Sequence, residues 1–293
     1  MKNFLLAFIS LLIPAFVFAQ NTDYEKEWKK ADSLLKNGFP ESGAKIAQDV
    51  YNKAQQRGQD VQMMKAQIYL MSADFDRNEE AFQEAIQTAE TNAAKAKFPN
   101  KAIWQSIAAQ LYWNYYQQNR WKILGRTRVS SATNVKDFEQ WDASRFFEKA
   151  SSLYQSSLAR ARDLEQINIS KYDPILTKGV NTRNLRPTLF DLLAFRALDF
   201  FENDEKDITK PAFAFTMNDA KAFSPAKQFI NVNFPSRDTS SLQYQALRLY
   251  QKILALHTND ANKDAFIDAD LHRLEFVYNH SVHPDKKELF FSF

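Results

Sequence analysis

Five glycines in 293 residues constrain this chain more than any motif in it. Ordinary usage of about 7% would supply roughly twenty. Positive-φ turns, phosphate-cradling loops and close backbone crossings all rely on glycine, so folds built from them are disfavoured. The chain must turn rarely and run in long elements. Apolar residues at 45% and charged residues at 25% are globular proportions. The length suffices for one large domain or two ordinary ones.

Periodicity points the same way. Trp28, Ala31, Leu34 and Leu35 fall at three- and four-residue spacing, and Asn37-Gly38-Phe39-Pro40 stops that helix. A second run puts Ala44, Ala47, Val50, Tyr51 and Ala54 on one face and ends near Gly58. Met63 to Phe75 and Glu79 to Ala96 repeat the arrangement. Two helical hairpins at a spacing of about 37 residues are what the start of a tetratricopeptide-like solenoid presents. The usual small and aromatic positions are only half present. Residues 20–98 are therefore read as tetratricopeptide-like hairpins, and 99–293 as a helical continuation.

In that continuation Phe98-Pro99-Asn100 introduces a helix from Lys101 to about Leu124. Asp142 to about Gln166 is another, with Phe146, Phe147, Ala150, Leu153, Tyr154 and Leu158 as its buried stripe. Pro187 opens the helix Thr188 to Phe201. Asn203 to Asp238 holds Pro211, Pro225, Pro235 and isolated Phe residues without a period. It reads as a long irregular connection with short extended pieces over Ala212 to Met217 and Phe229 to Phe234. Helices resume at Ser240 to His257 and Lys263 to His280. The expected fold class is all-α, made of antiparallel helical hairpins with one irregular Pro/Phe-rich segment at about 203–238.

The N-terminus gives an address. Lys2 precedes an apolar run from Phe4 to Phe18, broken only by Ser10 and Pro14, and Val17-Phe18-Ala19 fits a signal-peptidase site. The run falls short of the roughly twenty residues of a membrane span and is followed by polar residues. Residues 1–19 are thus read as a signal peptide, with an uncleaved anchor as the alternative. Cysteine is absent, which excludes lipoprotein processing, disulfides, thiol nucleophiles and thiolate metal sites within this chain. The expectation is an exported protein, periplasmic or secreted, that is not a lipoprotein. The formal charge of +3 becomes +2 once Lys2 leaves with the leader. That is no nucleic-acid binder's field, and no later segment is apolar enough for a membrane span.

The other end is also informative. Pro284 to Glu288 makes a good first helical turn, and Leu289, Phe290 and Phe291 begin an apolar stripe, yet the sequence stops at Phe293. Two readings follow: this is the front part of a longer chain, or the short helix docks on the domain's own surface.

Candidate chemistry is thin. His280-x-x-His283 with Asp285 could supply two metal ligands and a carboxylate. Their place at a helix end beside Pro284, without a helical H-E-x-x-H pattern, argues for capping instead. Asp268 and Asp270 do not share a helix face, and glycine-rich cofactor and nucleophile motifs are absent. The reading is non-enzymatic, with no cofactor and no metal. Trp104 to Arg128 is the most unusual stretch. Trp104, Ile107, Ala108, Leu111, Tyr112 and Tyr115 form one stripe; Trp113, Tyr116 and Arg120 form a second; Trp121 follows among Arg120, Lys122, Arg126 and Arg128. A helix apolar on two faces is ordinarily one buried between neighbours. The functional alternative is an aromatic partner-contact surface made of Trp113, Tyr116, Arg120 and Trp121, with cation–π support.

Three stretches carry a resemblance: NKAIWQSIAAQLYWNYYQQNRWKILGRT (100–127), DFEQWD (137–142) and RPTLFDLLAFRALDFF (186–201). They resemble the N-terminal helical region of large bacterial alpha-2-macroglobulin-like proteins. In that family, the resemblance implies, a helical front precedes a string of β-sandwich domains carrying a bait segment and, in many members, a Cys-containing thioester. No such residue can be placed on this sequence. The resemblance implies a non-catalytic scaffold or interaction region of an endopeptidase-inhibitor system. Its partner would be a cell-envelope protein or further domains of a longer chain. The alternative is a stand-alone tetratricopeptide-like periplasmic binding module for a peptide, glycan or envelope protein.

Overall fold

A computed structural model describes residues 22–74, 80–126, 138–204 and 213–292. The leader 1–19, Arg128, Asp137, part of the irregular connection (205–212) and Phe293 lie outside the described residues. Among the described residues the fold is all-α. The helices are α1 (Thr22–Lys36), α2 (Pro40–Gln56), α3 (Asp60–Asp74), α4 (Ala81–Lys95), α5 (Asn100–Gln118), α6 (Arg120–Leu124), α7 (Ala143–Ser157), α8 (Ala161–Glu165), α9 (Thr182–Leu185), α10 (Leu189–Phe201), α11 (Ala226–Phe229), α12 (Leu242–His257), α13 (Asp264–His280) and α14 (Lys286–Phe291). No strand forms among the described residues, and the one β-type pairing is an isolated antiparallel bridge between Asn168 and Thr188.

The chain groups into two compact units, residues 1–84 with 174–176, and 85–173 with 177–293. In the first, α2 packs on both α1 and α3. Three polar contacts, two of them buried, set their directions. Tyr24 of α1 donates to Gln59, just before α3; Trp28 Nε1 donates to Gln62 Oε1 at 2.8 Å; and Tyr69 Oη donates to the Ala31 carbonyl. Residue numbers rise together on the two helices, so α1 and α3 run parallel and α2 runs against both. Ala47, Val50, Ala66 and Ala73 complete the core between them. Gly38 and Gly58 close the two turns with positive φ, which a side chain would strain.

The second unit is centred on α10, which packs on α5, α7, α8 and α12. Its sequence LFDLLAFRALDFF buries Leu189, Phe190, Leu193, Ala194, Ala197, Leu198, Phe200 and Phe201. A helix that is apolar nearly all round belongs in the middle. Thr188 and Asp191 form a reciprocal capping box at its start. α5 is enclosed between α7 and α10, and α12 packs on α13. α4 joins this unit from Ala85 onward. Its Glu90 pairs with Lys149 of α7 at 2.5 Å.

Two expected helices are each broken in two. The one from Lys101 ends at Gln118 because Asn119 caps it, giving both its backbone N–H and its Nδ2 to the Tyr115 carbonyl; α6 then restarts. The one from Asp142 ends at Ser157, whose hydroxyl donates to the Tyr154 carbonyl, before α8 begins. The extended piece expected at Phe229–Phe234 forms no strand: Phe229 ends the helical turn α11, and turn and irregular chain follow it. Gln251 Nε2 of α12 donates to the Phe229 and Val232 carbonyls, both at 2.8 Å. A side chain thus satisfies backbone groups that a strand would have paired. α14 lies on α13, with the Phe290 ring 4.8 Å from that of Tyr278.

Candidate functional site

The aromatic stretch separates into an inner and an outer part. Trp113 stacks on Tyr116 at 5.3 Å and meets Phe200 of α10 edge-on at 5.2 Å. Tyr116, at 0% exposure, packs on Phe146 and Phe147 of α7. These two residues join α5, α7 and α10. Tyr116 cannot touch a partner, which corrects the four-residue surface expected above: its ring is core. Trp121 is the opposite case. It is 82% exposed on the short helix α6, with the Arg120 guanidinium 5.0 Å from its ring centroid. Exposure of an indole on this scale was not separable by sequence from the burial of Trp113, because both fall among the same aromatic neighbours.

A second array flanks α5. Tyr112 stacks on Trp141 at 5.5 Å and 9°, and Tyr115 stacks on Phe146 at 5.7 Å. Burial, reinforced by the nearby Glu90 carboxylate, pushes the Tyr112 phenol well above its ordinary range. It stays protonated and acts as a donor, a packing role rather than an acid–base one.

The histidines take up structural positions. His257 is buried at the end of α12, with Nε2 2.8 Å from Asp191 Oδ1 and Nδ1 2.7 Å from Asp260 Oδ2. The other oxygen of Asp191 accepts from Thr188 N–H and its hydroxyl. One imidazole therefore ties the start of α10 to the end of α12. Burial alone would lower its pKa, but the two hydrogen-bonded carboxylates raise it. His280 Nδ1 faces the Phe276 carbonyl at 2.8 Å, and Nε2 faces the Glu202 carbonyl at 3.1 Å and Asp204 Oδ1 at 3.3 Å. His283 Nδ1 accepts the Asp285 N–H at 3.1 Å. The pair, weighed above as possible metal ligands and read as capping, closes the end of α13. Among the described residues no group of three or more His, Asp or Glu is arranged to hold a metal ion.

Sequence spacing did not single out Asp199 near the end of α10 and Glu202, which caps that helix. Burial raises both carboxyls; Tyr250 donates to Glu202 Oε1 at 2.5 Å and offsets part of that effect. Such a pair can store a proton, but neither carboxyl lines either of two clefts found in this unit. One cleft, of about 280 Å³, is formed by Phe213–Asp219 and Phe234–Arg237 with Ala222. The other is an apolar groove of about 660 Å³ beside α13 and α14. The first carries the polar side chains of Thr216, Asn218, Asp219, Ser236 and Arg237, with the Ser236 hydroxyl accepting the Asp238 N–H at 3.0 Å; the second carries Lys227 and Asp270 among apolar residues. No helix among the described residues is long and apolar enough to cross a membrane.

The chain matches no protein-family model, no characterised protein and no solved structure. What the fold and its sites define is a class: an all-α array with charged and polar ties buried at its helix junctions.

Proposed function

We propose that this chain is a non-catalytic, exported helical interaction scaffold, the helical front of an alpha-2-macroglobulin-like endopeptidase inhibitor. The observation that carries the scaffold reading is the arrangement of the titratable groups. His257, His280 and Tyr112 each meet structural partners that tie one helix to another. The resemblance of 100–127, 137–142 and 186–201 supplies the family and, with the apolar leader, the cell envelope as the place of action. Protease trapping belongs to the family's sandwich domains and is not assigned to this chain. The test uses the purified mature chain against ester, glycoside and peptide substrates and a set of endopeptidases. The expected result is no turnover and no trapped protease. Stoichiometric retention of an active protease, or turnover lost in a single-residue variant, would sink the reading.

One observation favours a second reading, a stand-alone tetratricopeptide-like binding module. The ties between α1 and α3 join residues 34 to 38 positions apart, close to the 34-residue period of that repeat. A peptide or glycan that saturably quenches Trp121 fluorescence would support it; an unresponsive Trp121 counts against it.

A further inference from the structure

α13 is apolar on two opposite faces. Ala265, Ala269, Phe276 and Val277 are buried on one side, where α12 packs. Ile267, Leu271, Leu274 and Tyr278 recur at i, i+4, i+7 and i+11 on the other. α5 has the same two-faced character and is covered on both sides, by α7 and α10. Among the described residues, the second face of α13 meets α14 at its end, where Phe290 lies against Tyr278, and is bordered by Pro225–Lys227 along the groove. Ile267 and Leu271 stay 53% and 62% exposed, and Phe291 of α14 is 73% exposed. Leu271 and Phe291, together with Phe266 and Leu274, bound the 660 Å³ groove.

The charges in the groove are unequal. Asp270 is neutralised by the fully buried Arg273, whose Nε and Nη2 lie 2.8 and 2.6 Å from its Oδ1. The Lys227 ammonium, also in the lining, has no carboxylate partner among the described residues. We infer that this groove receives an amphipathic helix from another protein segment. Its leucine-type residues would lie along Ile267, Leu271 and Leu274, and a carboxylate would meet Lys227. The stripe rises about 10 Å over two turns, the span of an i, i+3/i+4, i+7 anchor set. Charge complementarity fixes the partner's sign. The inference deepens the scaffold reading and rests on it, while activity assays judge that reading separately.

The probe is a fluorescein-labelled, helix-stapled peptide with leucines at i, i+4, i+7 and i+11 and glutamates flanking them. A matched peptide carries lysines instead. Anisotropy against the full chain should show saturable binding of the glutamate peptide. Leu271→Glu and Lys227→Glu should each weaken it at least about tenfold, the equivalent of 1.4 kcal/mol. Lys227→Glu should also bind the lysine peptide more tightly than the parent does. Both positions are exposed, and unchanged thermal melts will show that the variants fold. Absence of saturable binding, equal affinity for the two peptides, or insensitivity to Leu271→Glu would overturn the inference. So would a concentration-dependent dimer abolished by Leu271→Glu, which would give the face to a second copy.

Discussion

Gly43 is where the three-helix unit is most tightly built, and replacing it gives a sharp test of that packing. It lies in the first turn of α2 and is buried. A Cβ there would sit 2.7 Å from the Tyr69 hydroxyl and 3.2 Å from the Ala31 carbonyl oxygen, with Tyr69 Cε1 at 3.5 Å. That hydroxyl is the tie between α3 and α1. Gly43→Ala gains about 1 kcal/mol of helix propensity. Against this, the methyl forces the hydroxyl aside, with overpacking worth about 1–3 kcal/mol and a stranded buried donor worth about 1–3 kcal/mol. The expected net effect is a loss of about 1–5 kcal/mol. Tyr69→Phe removes the clashing atom, so in that background the same substitution should cost less than about 1 kcal/mol or stabilise. Hydrogen exchange of amides in α1 to α3 reads the local opening free energy directly, free of signals from the tryptophans of the other unit. A Gly43→Ala cost that is the same in the parent and in the Tyr69→Phe background, or a stabilisation with Tyr69 present, would refute the reasoning.

Trp113→Ala should cost about 3–5 kcal/mol, because its indole joins α5, α7 and α10; Trp121→Ala should stay within about 0.5 kcal/mol. Denaturant titration of the two variants side by side checks the division of the aromatic stretch into core and surface. His257 has a folded pKa raised above its ordinary 6.5, so its stabilising contribution is complete below pH 6.5. That contribution fades as pH rises through the raised folded value. Thermal melts from pH 5.5 to 9 should therefore fall more steeply for the parent than for His257→Gln; parallel profiles would show that the imidazole is not the titrating tie. Asp191→Asn, which removes the buried one of the two carboxylates on the imidazole and weakens the capping box of α10, should cost about 3–5 kcal/mol near pH 6, measured by denaturant unfolding.

Most of the helical order was legible because it rests on local rules. The periodic apolar faces of α2, α7 and α10, Pro187 before a capping box, and Gly38 and Gly58 at turns each act within a few residues. The breaks at Asn119 and Ser157 were not legible. Both depend on a side chain reaching back to a carbonyl three or four residues earlier, an option that Asn and Ser carry in many helices without using it. Site-level reading failed for a different reason. Trp113 and Trp121 are both aromatic residues in one run, and their fates part only because α5 stops between them. His257 shows no local motif at all: Asp191 is 66 residues away in sequence, and only the packing of α10 on α12 joins them.

A chain so poor in glycine also needs its own way of holding helix junctions. Buried alanines such as Ala47, Ala108, Ala150, Ala197 and Ala246 let the helices approach, and polar ties add direction to those contacts: Tyr69 to Ala31, Arg273 to the Ala222 carbonyl at 2.6 Å, and Gln251 to Phe229 and Val232. Each tie is buried, so each is costly to break and specifies one arrangement among the many that apolar stripes alone would permit. Arg273 is the clearest case. Its guanidinium lies 4.5 Å from the Phe229 ring centroid and bonds both Asp270 and the 220–223 turn, so one buried cation positions α13, the turn and α11. The Asp270 charge is consumed in that tie, and among the described residues this leaves Lys227 without a carboxylate beside the open face of α13. A structural solution to glycine scarcity thereby sets the electrostatic character of the surface we assign to a partner.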